Sequence, residues 1–267
     1  MLSRDVALAT GPDAVSYLQG QLSQDLDALA VGDSAFSLLL QPQGKVDAFL
    51  RVTRVGDDEL ALDVDAGFGE AMLARLRRFL LRVKVELTLV DWTAVAVRGM
   101  EAPVEPGVWR VLPETPGVEG FDIIGPGADV PEGLPTIDPV DYEMVRIRAG
   151  VPRMGSELDE STIPATAGIV DRTVSFTKGC YTGQELVARI DSRGDRVPTR
   201  LRGLLGEVPA GATLSLDGRD VGRVTSAAGG VALAYVRREV EPPADLLASW
   251  DGGNATVAVR ALPLDES

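Results

Sequence analysis

From Arg200 onward the chain is cut into short apolar runs separated by glycine-containing breaks: "RLRGLLG", "ATLSL", "RDVGRVTSA", "VALAYVRR" and "ATVAVRAL". Runs this short and this close together are strands, and their regular spacing predicts a small antiparallel barrel or sandwich. A boundary near Pro198 follows, with residues 198–267 as the β unit and 1–197 as a larger region built of two interleaved subdomains.

The larger region mixes periods. "GPDAVSYLQGQLSQDLDALAVGD" opens with Pro12 and Asp13 and spaces Val15, Leu18, Leu22 and Leu26 as one amphipathic helix. "AFSLLL", "KVDAFLRVTRV" and "DELALDV" then predict a meander whose middle strand is half exposed. Phe68, Met72, Leu76 and Phe79 mark a second helix with Arg75, Arg77 and Arg78 on or near its solvent side. "VKVELTLVDWTAVAV" returns to strand patterning. A Pro- and Gly-rich part, about 100–139, holds "GVWRVL" and "GFDIIG" as short strand candidates, and "PVDYEMVRIRAG" predicts a helix from Pro139 to Gly150. The overall class is therefore α+β.

Composition removes several chemistries. The 26 basic and 40 acidic residues give a net charge of −14, a field that opposes binding to nucleic acid or to an anionic membrane. Histidine is absent, which excludes Ser-His-Asp and Cys-His catalytic pairs and histidine metal sites. No leader-like N-terminus and no run long enough to cross a membrane is visible, so the expected compartment is the cytoplasm. A single cysteine fits a reducing compartment.

That cysteine, Cys180, lies in "FTKGCYTGQE". A thiol works as its thiolate, which a neighbouring cation such as Lys178 stabilises. Gly179 and Gly183 permit left-handed turns or close backbone approach, and Tyr181, Thr182, Gln184 and Glu185 crowd polar groups around them. The same residues also describe a tight strand-to-helix turn with Cys180 packed inside it.

"KGCYTGQE" at 178–185 resembles the signature of the YgfZ family, folate-binding relatives of the glycine-cleavage T-protein that serve in iron–sulfur cluster assembly or repair. "GPDAVSYLQGQLSQDL", "RIRAGVPRMGSELDESTIPATAG" and "ELVARIDSRG" extend the resemblance over most of the chain, with the stretch from Trp92 to Pro139 the least distinctive. The resemblance implies a T-protein-like ring of three small domains around a central folate channel, ending in a small antiparallel β-barrel. It also implies a tetrahydrofolate derivative as ligand and Cys180 as a functional thiol at the channel mouth.

Two departures from the pattern matter. In "QGKVDAFLRV", Ala48 takes the place of the T-protein aspartate needed for aminomethyl transfer, and Asp47 stands one position early, which on a strand is the opposite face. Arg148 replaces a folate-facing glutamate of many T-protein relatives, and "IPATAG" lacks the histidine of some YgfZ relatives. Asp47, Arg148, Arg189 and Arg193 are the candidate folate contacts; Arg189, Arg193 and Arg196 are candidates for the folate glutamate tail or for an acidic partner surface.

Clusters are usually held by four thiolates, or by two with two histidines. One cysteine without histidine cannot hold a stable metal centre, so Cys180 is at most a transient ligand completed by a partner or a second copy, or a redox thiol. The expectation is an accessory protein for iron–sulfur client or assembly proteins, without direct nucleic-acid or membrane contact and with only an indirect effect on tRNA modification. The alternative is a folate-dependent one-carbon transferase in which Asp47 acts as base through a local strand shift.

Overall fold

The computed structural model describes residues 1–194 and 196–264. The chain runs β1 (Arg4–Thr10), α1 (Ala14–Gln21), β2 (Ser34–Leu40), β3 (Val46–Gly56), β4 (Glu59–Asp65), α2 (Gly69–Arg77), β5 (Glu86–Val90), β6 (Trp92–Arg98), β7 (Trp109–Val111) and β8 (Gly120–Pro126). It continues with α3 (Pro139–Arg148), α4 (Pro164–Ala167), α5 (Val170–Thr173), α6 (Gln184–Asp191) and β9 (Thr199–Leu205). The remaining strands are β10 (Thr213–Leu216), β11 (Arg219–Ala228), β12 (Val231–Arg237), β13 (Ala244–Trp250) and β14 (Gly253–Arg260).

Three β units result. A five-stranded sheet has the order β2-β3-β4-β1-β5, a three-stranded sheet β6-β8-β7, and the last six strands close into a barrel, β10-β11-β12-β9-β14-β13. The first sheet packs Leu38, Leu40, Leu50, Leu62 and Val64 against α1 and α2, and this shared core contains Leu18, Leu22, Leu26, Met72 and Leu76. The five runs named in the sequence lie in barrel strands β9, β10, β11, β12 and β14, so a barrel rather than a sandwich is formed. Closure removes both sheet edges, the usual solution for a small all-β unit.

Several local expectations are corrected. The first helix ends at Gln21, although Leu22 and Leu26 stay buried. Its continuation is broken by tertiary hydrogen bonds: the Ser23 hydroxyl donates to the Thr173 carbonyl at 2.6 Å and accepts the Leu38 amide at 2.9 Å. β3 is buried over most of its length rather than half exposed, because β2 and β4 flank it while helices cover the sheet. "VKVELTLVDWTAVAV" divides between two sheets at Asp91. Arg75 is largely buried and paired rather than solvent-facing, whereas Phe79 is exposed. The helix from Pro139 forms as expected: the Asp138 carboxylate caps it by accepting the Val140 amide, and Gly150 beyond its end has φ +69°.

A buried carboxylate ties the barrel to the rest. Glu157 accepts the Ser226 hydroxyl of β11 at 2.6 Å and pairs with Arg146 of α3 at 3.2 Å, while its backbone carbonyl accepts the Tyr235 hydroxyl of β12 at 2.9 Å. Buried charges of this kind persist where partners satisfy them on every side.

Candidate functional site

The motif turn is fixed from two directions. Below it, the Lys178 ammonium donates to the carbonyls of Gln19 at 2.7 Å, Leu22 at 2.8 Å and Gln24 at 2.7 Å, with the Gln19 side-chain oxygen at 3.2 Å. The Gln19 carbonyl belongs to the last turn of α1 and those of Leu22 and Gln24 to the chain just beyond it, so a lysine supplies the cation that a helix C-terminus favours. Burial pushes the Lys178 ammonium down to about 8, with Asp25 and Asp27 opposing the shift. With its ammonium donating to three carbonyls, Lys178 anchors the turn to the end of α1.

At the other side, Gly183 has φ +83° and caps α6. A Cβ there would lie 2.5 Å from the Gln41 carbonyl oxygen, while one on Gly44, itself at φ +76°, would lie 2.6 Å from Leu186 Cβ. The β2–β3 turn and the α6 start therefore approach through two facing glycines, a contact no side chain permits. Gly179 differs, since a Cβ there meets nothing within 4 Å. Gly183→Ala is expected to lose roughly 2–4 kcal/mol from left-handed strain plus overpacking, and Gly179→Ala to stay within about 0.5 kcal/mol of wild type. Urea unfolding of both variants measures the contrast, and equal losses would count against the facing-glycine contact.

Between these anchors the rest of the motif sorts itself. Tyr181 is buried, its phenol pushed up to about 12 by desolvation, and its amide donates to the Gln184 side chain at 3.2 Å. Thr182 is half-buried, while Glu185 and Cys180 are exposed. Cys180 is thus presented outward rather than packed inside the turn.

Asp47 occupies an unexpected place. The register passes from Leu39 opposite Ala48 to Leu40 opposite Val46, leaving Asp47 as the extra residue of a β-bulge. Its carboxylate takes Arg75 Nε at 2.9 Å, and Arg75 also donates to the Leu40 carbonyl at 3.2 Å and lies 4.6 Å from the Phe79 ring centre.

A separate cavity of about 500 Å³ opens between β1, β6, α3 and the segment 130–137. Its polar lining includes Arg4, Asp65, Arg98, Glu114, Tyr142 and Arg153, with Glu143 beside Arg153, against apolar Val97, Leu134 and Met154. Arg4 bridges Asp63 at 2.8 Å and Asp65 at 2.9 Å, and the Tyr142 hydroxyl donates to Glu114 at 2.8 Å while accepting Arg98 at 3.0 Å. Burial and the Glu114 charge push the Tyr142 phenol far up, so it stays protonated. Arg153 stands at the rim, 40% exposed, with Glu143 at 3.0 Å.

Behind the cavity wall lies a lattice of buried charge. Arg51 joins Asp63 at 2.8 Å and Asp122 at 2.6 Å, and Asp122 also meets Arg98 at 2.7 Å. Arg172 stacks over Phe36 at 4.2 Å and Phe49 at 5.4 Å and is pushed down to about 10 by burial.

None of Lys178–Glu185, Asp47, Arg148, Arg189 or Arg193 lines this cavity. The thiol turn and the cavity are distinct places, so Cys180 is not at the mouth of this chamber. Arg148 sits in the last turn of α3, where its carbonyl accepts the Leu264 amide at 2.7 Å. Arg189, Arg193 and Arg196 come together elsewhere, around Ile190 on α6 and the turn after it. Among the described residues, no group of three or more acidic or cysteine side chains is placed to hold a metal ion, and no helix is long and apolar enough to cross a membrane.

Residues 196–263 match the family model for the C-terminal β-barrel domain of CAF17. The chain is similar to a mitochondrial iron–sulfur cluster assembly factor IBA57 homolog of Pyricularia oryzae, with 31% identity over 72% of this chain and 53% of that protein. It is also similar to the tRNA-modifying protein YgfZ of Serratia proteamaculans, with 28% identity over 84% of this chain and 78% of that one. The matches cover between 51% and 65% of the length of several other curated relatives. The fold is shared with the glycine cleavage system aminomethyltransferase T of Bartonella henselae, at a TM-score of 0.81 and 21% identity over 98% of this chain and 84% of that structure. With the barrel, the motif turn and these likenesses together, the chain is similar to CAF17, YgfZ and IBA57 proteins over most of its length and carries a T-protein-like fold.

Proposed function

We propose that this chain is a tetrahydrofolate-binding accessory protein that supports assembly or repair of iron–sulfur clusters in client enzymes, and so affects tRNA modification indirectly. The observation that carries this reading is an exposed Cys180 on a turn pinned by Lys178 beneath and by the Gly44–Gly183 contact beside it. A thiol held rigidly at the surface can offer one sulfur to a cluster whose other ligands come from a partner or a second copy. It can equally exchange electrons with a partner's thiol. The names of the IBA57 and YgfZ relatives point to the first setting.

The donor set of the cavity fits a folate. Carboxylates of Asp65 and Glu114 would accept the N–H groups of a pterin edge, and Arg153 at the rim, beside Glu143, suits a carboxylate of the glutamate tail. A bound reduced folate supplies a carrier for one-carbon units. Arg4 and Arg98 hold Asp65 and Glu114 in place through the ion pair and the Tyr142 hydroxyl. The apolar wall of Val97, Leu134 and Met154 excludes water from the ring.

Asp47 favours a second reading in one respect: the bulge is the local strand shift that a transferase base at this position needs. Against it, the carboxylate is already held by Arg75 and lies outside the cavity. The lone free thiol suits the reducing cytoplasm, where we place the protein. Calorimetric titration with tetrahydrofolate is expected to show saturable binding to wild type and Cys180→Ala alike. No heat of binding to either would remove folate from the proposal.

A further inference from the structure

Arg189, Ile190, Arg193 and Arg196 line a hollow of about 490 Å³ that shares no residue with the folate-sized cavity. We propose that it docks an acidic segment of a partner protein, carboxylates on the guanidiniums and an aliphatic side chain over Ile190. This inference rests on the reading of the chain as an accessory to iron–sulfur proteins and names how such a partner is held.

Three observations select the occupant. Guanidinium groups present paired donors that match carboxylates in a fork, and all three arginines are exposed. Among the described residues the apolar lining group is the aliphatic Ile190, and none of the lining side chains is an aromatic that would stack a nucleobase. On a chain of net charge −14, three arginines around one hollow attract a short acidic segment locally, while the surrounding field opposes a long polyanion such as RNA. Glu185 and Asp191 belong to the same helix but do not line the hollow.

Position gives the hollow its use. Its first arginine is on the helix that begins three residues after Tyr181, and that helix of 8 residues is ~12 Å long. A segment bound there brings the body of its protein alongside the exposed Cys180 turn.

The test is fluorescence anisotropy with a short labelled peptide of glutamates interrupted by leucines, at about 50 mM and about 300 mM salt. Wild type is expected to bind saturably, and Arg189→Gln/Arg193→Gln/Arg196→Gln to bind on the order of tenfold or more weakly. A control with the exposed barrel arginines changed, Arg219→Gln/Arg238→Gln, is expected to bind as wild type does. Equal weakening in the control, no binding by wild type at low salt, or tighter binding of a single-stranded RNA of equal charge would each overturn the proposal. Tetrahydrofolate titration of the same preparations keeps the two readings apart, since the hollow variant is expected to bind folate unchanged.

Discussion

Asp63→Asn is expected to cost about 3–5 kcal/mol of folding stability, a large share of the 5–15 kcal/mol that a domain usually has. Asp63 is wholly buried, and its two oxygens accept Arg4 Nε at 2.9 Å and Arg51 Nε and Nη2 at 2.8 and 3.1 Å. An amide of the same shape turns one acceptor into a donor that faces guanidinium protons. It also leaves two buried cations with less than their charge in partners. Arg4 keeps Asp65 and Arg51 keeps Asp122, which is why the loss is not larger. At ~2–4 °C per kcal/mol the melting temperature should fall by roughly 10 °C.

The pH dependence of the same variant is a second readout. Burial alone would raise the Asp63 carboxyl, but the Arg51 and Arg4 guanidiniums overcome it and hold the group below the usual carboxylate range. A carboxylate whose folded value is depressed contributes fully above its unfolded value, about 3.9, and loses that contribution as pH falls through the lower folded value. The melting-temperature gap between wild type and Asp63→Asn should therefore be constant near neutrality and shrink below about pH 4. A gap that persists unchanged into strong acid, or a variant as stable as wild type at pH 7, would show that the lattice does not carry this load.

How much was legible in the sequence depends on whether the cause was local. The barrel strands β9 to β12 and β14 were visible because apolar alternation and glycine breaks repeat within a few residues. β13 was not, since "ADLLASW" follows "EPP" and carries little β-branched character. β1 escaped as well, although it lies between β4 and β5 in the first sheet, because "RDVALAT" has charge at one end and two alanines. The early end of α1 is a tertiary effect: the periodicity of Leu22 and Leu26 continues, but Ser23 and Lys178 claim the backbone beyond Gln21.

The site divides in the same way. The motif turn announced itself through two glycines and the only cysteine within a few residues. The role of Lys178 did not, because its partners lie more than 150 residues away in sequence. The cavity lining left no local pattern at all: Arg4, Asp65, Glu114, Tyr142 and Arg153 arrive from separate segments, each an ordinary polar residue where it stands. Only folding gathers their charges around one cavity.

Cys180→Ala is the other variant of large expected effect, and it acts on function alone. The side chain is exposed, so its removal should change folding stability by no more than about 0.5 kcal/mol. Tetrahydrofolate binding should also persist, because no motif residue lines the cavity. Support of cluster-dependent enzymes in a strain lacking the endogenous protein should nevertheless fall to the level of the empty vector. Cys180→Ser separates the causes: a hydroxyl preserves size and polarity but is a poor soft-metal ligand and cannot form a disulfide. Failure of both variants assigns the role to sulfur chemistry. Full support by Cys180→Ala would instead leave the pinned turn acting as a contact surface, and then Gly183→Ala, which disturbs the shape and keeps the sulfur, should be the variant that fails.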